Sequence, residues 1–317
     1  IMHAPYSCRG PGRECGKMKP DLVAFGGCDH TPMHLLSTAP GKKALHSGTS
    51  FSTPLVTAIG GQAVDVVERG TSLLARTLLI HTARHPSTDP DYLLGHGLVR
   101  TTLDGIVQCD DREVTVIFQG ELLASQSVKL PMMLPVGVVK SGRVQIKWTV
   151  GALPPVSPNH PSDYTTMCIE DTFYPNAQVF PFTNPDDKGK PPRKHLNLIN
   201  DAALVAELKR KGWKQSLLPV SESGNIYATE HEKRALDYKW EPIVRRIAGK
   251  MATSLYEPFL VLHAIPRHNA AGRVSYAATV TISAPKFDGD LYDAVLRSRP
   301  ALQPIRLRTE AEIRIKI

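Results

Sequence analysis

The residues Gly48-Thr49-Ser50, followed by Phe51-Ser52-Thr53-Pro54, place a serine hydroxyl at the start of a predicted helix. The first N–H groups of a helix have no intrahelical acceptor, and the helix dipole makes that end positive. A hydroxyl there can attack a carbonyl carbon while its own N–H holds the oxyanion that forms. Gly48 permits a tight turn, and Pro54 is expected in the first turn, where no donor is needed. Taken alone, such a serine is more often a helix N-cap without chemistry.

The helix that would carry this serine is predicted from Ser50 to about Val67, because apolar residues recur on one face. Its other faces are also apolar or small, which is typical of a helix buried all round. Gly60-Gly61 lowers the helix propensity by on the order of 1 kcal/mol per residue, which indicates close packing against a neighbour. A second helix is predicted from about Ser72 to His85, and residues 37–50 are predicted as a loop.

Residues 48–54 (GTSFSTP) resemble the nucleophile motif of the subtilases, Gly-Thr-Ser-x-[Ala/Ser]-x-Pro. Three more segments resemble elements of that family in the same order. Residues 6–11 (YSCRGP) are similar to SSxGP, residues 19–26 (KPDLVAFG) to KPDIVAPG, and residues 92–99 (YLLGHGLV) to GxGxVNxxxA. Ser37-Thr38 stands where the family has a small polar residue. The departures are Phe25 in place of Pro, and Phe51-Ser52-Thr53 in place of Met-Ala-Ala or Met-Ala-Ser.

The resemblance implies that residues 1–109 are the C-terminal portion of a subtilase catalytic domain. The implied fold is α/β subtilisin-like, a partial parallel sheet with a buried helix. The implied activity is that of a serine endopeptidase, which hydrolyses a polypeptide substrate through an acyl-enzyme on Ser50, with support from Gly48, Thr49 and Pro54. Many subtilases bind calcium, but no calcium site is identified in this sequence.

The triad of this family runs Asp, His, Ser along the chain. The residues before Ser50 contain neither Asp-[Ser/Thr]-Gly nor His-Gly-Thr-x-Val. The histidines His3, His30, His34 and His46 match no family motif. We therefore expect the Asp, the His and the oxyanion-hole Asn in an N-terminal segment absent from this sequence, and we expect this chain alone to be inactive.

Residues 110–317 are predicted to form a mostly antiparallel β-sandwich with a helical insertion near residues 200–212. Short apolar or alternating runs separated by Gly, Pro, Asn and Asp clusters indicate the strands. They are 113–118, 144–150, 164–170, 259–265, 274–282 and 305–317. This half resembles the sandwich appended to some bacterial intracellular-type subtilases. Because a few of those proteases are encoded beside an AAA-type ATPase, the resemblance implies such a partner.

Composition and residue spacing argue against nucleic-acid binding, membrane insertion and a metal site. The 317 residues carry a formal net charge of +8, but Lys and Arg are spread along the chain, which argues against a nucleic-acid interface. No apolar run reaches 18 residues, so no membrane-spanning helix is expected. The five cysteines lack metal-knuckle spacing and are read as free thiols of a reducing compartment, which predicts a cytoplasmic protein. His81 with His85, Asp89 with Asp91, and Asp186-Asp187 form no complete metal-ligand pattern, so no cofactor or metal is assigned.

Two other functions stay open on sequence grounds. One is a non-catalytic pseudoprotease, whose β-rich half binds partners; the other, supported by net charge alone, is a nucleic-acid-binding module. An upstream Asp-x-Gly and His-Gly-x-x-Val in the parent gene would favour the enzyme over the pseudoprotease.

Overall fold

The computed structural model describes residues 3–13, 18–87, 89–160, 163–184, 192–222, 229, 232–234, 238–267, 270–299 and 301–305. Its helices are α1 (Thr49–Asp65), α2 (Ser72–Thr82), α3 (Asp104–Val107), α4 (Ala202–Arg210) and α5 (Leu291–Ser298), with a 3-10 turn at Ala252–Ser254. No helix among these residues is long and apolar enough to cross a membrane.

The strands of the described residues pair antiparallel in four sheets. They are β1 (Met33–Leu36), β2 (Lys43–His46), β3 (Glu113–Leu123), β4 (Ser127–Pro131), β5 (Arg143–Leu153), β6 (Met167–Tyr174), β7 (Val179–Thr183), β8 (Arg193–Asn197), β9 (Lys214–Gln215), β10 (Ile243–Met251), β11 (Phe259–Pro266) and β12 (Arg273–Ser283). The sheet orders are β1-β2, β10-β5-β12-β3, β4-β11-β6 and β8-β7-β9.

The predicted parallel α/β sheet of residues 1–109 is wrong. The described part of this segment contains only the antiparallel hairpin β1-β2, and its one parallel pairing is an isolated bridge between Val23 and Leu98. A parallel sheet requires several strands joined by crossover helices. Here α1 and α2 follow one another without a strand between them, so the segment cannot build such a sheet from its own residues.

The main core lies between the four-stranded sheet and the sheet β4-β11-β6. Alternate side chains of both sheets meet in one apolar cluster, as expected when one face of each strand is buried. Leu260 and Leu262 of β11 are completely buried, as are Val144 and Ile146 of β5. Leu291 and Val295 of α5 close one side of this cluster.

The other face of the four-stranded sheet is covered by α2, which packs against β5 and β12. The contact is close because Gly151 of β5 lies against Thr77, where a Cβ would collide with the threonine hydroxyl. A polar network crosses this interface. The ring of buried His81 hydrogen-bonds through Nδ1 to Thr149 Oγ1 at 2.9 Å and through Nε2 to Thr281 Oγ1 at 2.7 Å. The interface therefore joins residues 1–109 to the β-rich half.

The predicted boundary at residue 109 stays a prediction, but the helical and β-rich segments are not independent of each other. A second apolar cluster combines Leu74 and Leu78 of α2 with Ala277 of β12, and partly buried Ile117 of β3 packs against it. Loss of the sheet would thus expose the inner face of α2.

Most predicted elements of the β-rich half are confirmed. Strands 113–118, 144–150, 259–265 and 274–282 lie within β3, β5, β11 and β12, whereas the strand predicted at 164–170 is displaced to Met167–Tyr174. The helix predicted at 200–212 is α4, which ends before Gly212 in the left-handed conformation (φ 83). The strand predicted at 305–317 lies outside the described residues from 306 onward.

Candidate active site

Ser50 is the second residue of α1, and its side chain is exposed. Gly48 is the N-cap residue, with extended backbone, and its N–H donates to the carbonyl of Gly26 at 2.8 Å. The backbone N–H of Ser50 has no hydrogen-bond acceptor among the described residues. An exposed hydroxyl thus stands beside a free N–H at the positive end of a 17-residue helix, an arrangement that suits attack on a carbonyl and stabilisation of the resulting oxyanion.

The placement of Pro54 differs from the prediction. Pro54 is the sixth residue of α1 and lies beyond the first turn, so the carbonyl of Ser50 lacks its usual donor four residues later. Thr49 begins the helix, and its carbonyl accepts from the hydroxyls of Ser52 at 3.1 Å and Thr53 at 2.8 Å. Side-chain hydroxyls therefore reinforce the turn that carries Ser50, next to the position where proline interrupts the backbone ladder.

The structure brings the motif segments identified in the sequence together. Besides the Gly48–Gly26 hydrogen bond, the hydroxyl of Tyr6 donates to the carbonyl of Gly27 at 2.5 Å. The N–H of Gly10 donates to the carbonyl of Tyr92 at 2.9 Å. Segments far apart in the sequence thus support the backbone that leads into α1.

Asp21 ties the segment 19–26 to α2. Its carboxylate accepts from Lys19 Nζ at 2.8 Å and from Arg76 Nη2 at 2.9 Å. Burial alone would raise the pKa of Asp21, but the charges and hydrogen bonds of Arg76 and Lys19 outweigh it and hold that pKa below its ordinary value. Sequence reasoning missed this link because Arg76 stands 55 residues further along the chain.

The segment 92–99 packs closely through its two glycines, against residues 20–21 at Gly95 and against residues 84–85 at Gly97. Gly95 (φ 57) lies against the carbonyl of Pro20, and Gly97 (φ 111) against the carbonyl of Arg84, so neither position has room for a Cβ. His96 between them is 2% exposed and donates its backbone N–H to the carbonyl of Asp21 at 2.9 Å. Neither ring nitrogen of His96 has a hydrogen-bond partner, and burial lowers its pKa to about 3.

No imidazole or carboxylate among the described residues makes a hydrogen bond with the hydroxyl of Ser50. The ring of His46 stacks on Phe51, with centroids 5.6 Å apart, and His34 Nδ1 lies 3.2 Å from Lys43 Nζ.

His34 and His46 belong to the hairpin β1-β2, whose second strand replaces part of the loop predicted at residues 37–50. The missed signal was the pair of apolar-containing runs on either side of Gly41, whose φ of 69 marks the turn.

The prediction that α1 is buried all round is wrong. Ser52, Gly60 and Ala63 are buried, and this side faces α2. The opposite side is exposed, with Leu55 at 59% exposure. Six exposed residues lie along this side of the helix at helical spacing, and none of them is charged: Ser50, Thr53, Pro54, Thr57, Ala58 and Gly61. We call these six residues the bare face of α1.

The two adjacent glycines of α1 differ in their surroundings, which gives a testable contrast. A Cβ on Gly60 would lie 3.1 Å from Leu79 Cδ1, whereas a Cβ on Gly61 would meet nothing within 4 Å. We expect Gly61→Ala to raise the free energy of unfolding of this chain by about 0.5–1 kcal/mol through helix propensity. Gly60→Ala should gain less, because Leu79 must move. Urea denaturation of both variants measures the difference; equal gains would contradict the assigned packing.

Asp91, one of the loop carboxylates whose metal-ligand pattern is incomplete, hydrogen-bonds to the backbone of its own loop. Asp91 accepts from the N–H groups of Leu93 at 2.8 Å and Leu94 at 2.7 Å, so it caps its own turn. Asp186-Asp187 lies outside the described residues. In the part of the chain that the structure describes, no group of three or more His, Cys, Asp or Glu residues could hold a metal ion.

Comparison with known proteins finds a family match in the N-terminal third of the chain. Residues 2–97 match the model of the subtilase family. This subtilase-like segment includes Ser50, the bare face, the motif segments 6–11, 19–26 and 48–54, and all but the last two residues of segment 92–99. At the level of the family, the match supports a protease. It does not extend to the β-rich half, and no curated protein matches the chain.

Solved structures of two viral proteins are similar to the chain at a low level. The coat protein of Tobacco streak virus is 10% identical, with a TM-score of 0.21, and the match covers 56% of this chain and 90% of that one. The VP2 subviral particle of infectious bursal disease virus is 8% identical, with a TM-score of 0.24, and the match covers 66% and 43%. Likenesses this weak say nothing about what the chain does.

Proposed function

We propose that this chain supplies the nucleophile of a subtilase-type serine endopeptidase, with Ser50 forming the acyl-enzyme on a polypeptide substrate. The observation that carries the proposal is the exposed hydroxyl of Ser50 at the N-terminus of α1, inside a segment that matches the family. The free N–H of Ser50 supplies one oxyanion donor. Gly48 and Thr49 hold the turn through their backbone hydrogen bonds.

The general base and the carboxylate that orients it would come from polypeptide outside these 317 residues. The bare face of α1 supports this part of the proposal. An exposed helix face ordinarily carries charged residues, yet α1 has no charged side chain before Asp65. Small uncharged residues in that position fit close contact with another protein surface. A polypeptide bound there would lie on the same side of α1 as Ser50.

The proposal is tested by labelling with a fluorophosphonate probe, which reacts with activated serines. The chain is expressed alone and together with the sequence encoded immediately upstream, and the adduct is located by peptide mass spectrometry. We expect an adduct on Ser50 only in the second preparation. Ser72 is the internal control, because it is also an exposed serine at the start of a helix.

An absence of labelling in the folded, combined preparation would contradict the proposal. It would favour the pseudoprotease, in which Ser50 is a helix-start serine without chemistry. Equal labelling of Ser50 and Ser72 would also contradict it, because the reaction would then reflect exposure alone.

A further inference from the structure

A cleft of about 970 Å³ runs along the edge of β3. β3 is the outermost strand of its sheet: β12 pairs with it from Glu113 to Leu123, and its other side pairs with no strand in the described part of the chain. Val114 and Val116 from one face of β3 line the cleft together with Thr115 and Ile117 from the other. A cleft lined from both faces of a strand faces the strand's edge.

The two walls of the cleft are largely apolar and come from helices and the residues that follow them. One wall consists of Leu78 of α2, Val107 of α3 and residues just beyond α1. The other consists of Val295 and Leu296 of α5 and residues 301–305. The edge of β3 therefore lies at the bottom of the cleft, with α2 and α3 on one side and α5 on the other.

The charges of the cleft have one sign. Its described lining residues include four acidic side chains, Glu68, Asp110, Asp111 and Asp290, and no lysine or arginine. The chain as a whole carries a formal net charge of +8. An acidic cleft on a basic protein favours a basic occupant by charge complementarity.

The sequence of β3 makes an unpaired, solvent-exposed strand edge unfavourable. Residues 113–118 read EVTVIF, with high β-propensity and no Lys or Pro to block pairing with another strand. Proteins ordinarily cover such an edge. The required cover is an extended segment with apolar and basic side chains.

The sequence that follows the last lining residue of the cleft has this composition. Ile305 is one of the lining residues, and residues 306–317 follow it, outside the described residues. From 305 to 317 every odd position is apolar or threonine and every even position is charged: Ile305, Leu307, Thr309, Ala311, Ile313, Ile315 and Ile317 against Arg306, Arg308, Glu310, Glu312, Arg314 and Lys316. Residues 306–317 thus hold four basic and two acidic side chains.

We propose that residues 306–317 bind in the cleft by strand addition to the edge of β3. The side of β3 that faces the cleft spans Val114–Gln119, which the twelve residues are long enough to cover at about 3.3 Å per residue. The apolar side chains at odd positions would pack on one helical wall, and the basic side chains would meet the acidic groups. The proposal does not depend on the activity of Ser50.

The occupancy of the cleft is measured by alkylation of Cys109, which is one of its lining residues. The full chain is treated with iodoacetamide, and the rate at each cysteine is followed by peptide mass spectrometry. Exposed Cys28 is the reference for a freely accessible thiol, and buried Cys168 reports any unfolding. We expect Ile313→Asp/Ile315→Asp to accelerate alkylation of Cys109 by about tenfold or more, which corresponds to a loss of roughly 1.4 kcal/mol of docking.

The matched control is Glu310→Gln/Glu312→Gln, which changes the same number of residues at even positions and should leave the Cys109 rate within about twofold of the wild-type rate. The proposal is overturned if Cys109 reacts equally fast in the wild type and the isoleucine variant while Cys168 stays protected. Protection that grows with protein concentration would also overturn it, because the occupant would then belong to a second copy of the chain.

Discussion

Replacing Ser50 by alanine is expected to lower peptide hydrolysis by roughly ten-thousand-fold or more in the preparation that contains the upstream sequence. The loss is large because the variant cannot form the acyl-enzyme, so the remaining donors at the start of α1 act on a slower direct attack by water. Hydrolysis of an unfolded protein substrate, followed by release of labelled peptides, measures the effect.

Ser72→Ala is the matched control for this experiment. Ser72 is exposed and begins α2, as Ser50 lies at the start of α1, but it has no place in the proposed site. We expect this variant to retain activity within a few-fold of the wild type. If Ser50→Ala also retains activity, the nucleophile is elsewhere and the proposed function fails.

Acid is expected to destabilise the fold strongly, because two histidines are buried in neutral form. His81 and His96 are 1% and 2% exposed. Burial is the main cause that lowers the pKa of each, to about 3 for His96 and well below 6.5 for His81. Positive neighbours add to the effect. Arg245 faces both rings, Lys147 faces His81, and Arg76 and His85 face His96, whereas the charge of Asp21 opposes the shift at His96.

The sign of the effect follows from proton uptake. Below pH 6.5 the unfolded chain takes up a proton at each of these two histidines, while the folded chain leaves both neutral until a much lower pH. The unfolded state then binds more protons, so the free energy of unfolding falls as the pH falls. His96, whose pKa falls to about 3, contributes about 1.4 kcal/mol per pH unit below pH 6.5, or about 3 kcal/mol between pH 7.5 and 4.5, and His81 adds to the loss in the same direction. That is a large part of the stability of an ordinary domain.

Urea denaturation at pH 7.5 and 4.5 measures this loss in the wild type and in three variants. His81→Gln and His96→Gln should each reduce the pH dependence, whatever their effect at pH 7.5, since each removes one of the two groups. His34→Gln, at an exposed position of β1, should leave it unchanged. An identical pH dependence in all four proteins would show that the buried histidines do not cause the acid sensitivity.

Local sequence determined the motif that carries Ser50 and most of the secondary structure. The extent of α1 and the long strands β3, β5, β11 and β12 follow from patterns of neighbouring residues, because helix and strand periodicity are local properties. The nucleophile motif is likewise contiguous, so its resemblance to the subtilases could be detected in seven consecutive residues, 48–54. The family match over residues 2–97 supports that resemblance.

Tertiary structure decided how these elements pack. The apolar pattern of α1 predicted a helix buried all round, yet only the side toward α2 is covered in this chain. Periodicity shows that a face can be buried, but it does not show whether the covering surface lies in the same polypeptide. For the same reason, the sequence motifs implied a parallel sheet, although the described residues of this segment contain only one short antiparallel hairpin.

The links that hold the candidate site also depend on long-range contacts. His81 reaches Thr281 across 200 positions of the sequence, and Asp21 reaches Arg76 across 55. Such pairs leave no local pattern, because any polar residue on a buried face has many possible partners until the chain is folded. The sequence by itself therefore determined the motif around Ser50 and its helix, whereas the antiparallel sheet beneath α2, the neutral histidines and the cleft beside β3 were decided by tertiary packing.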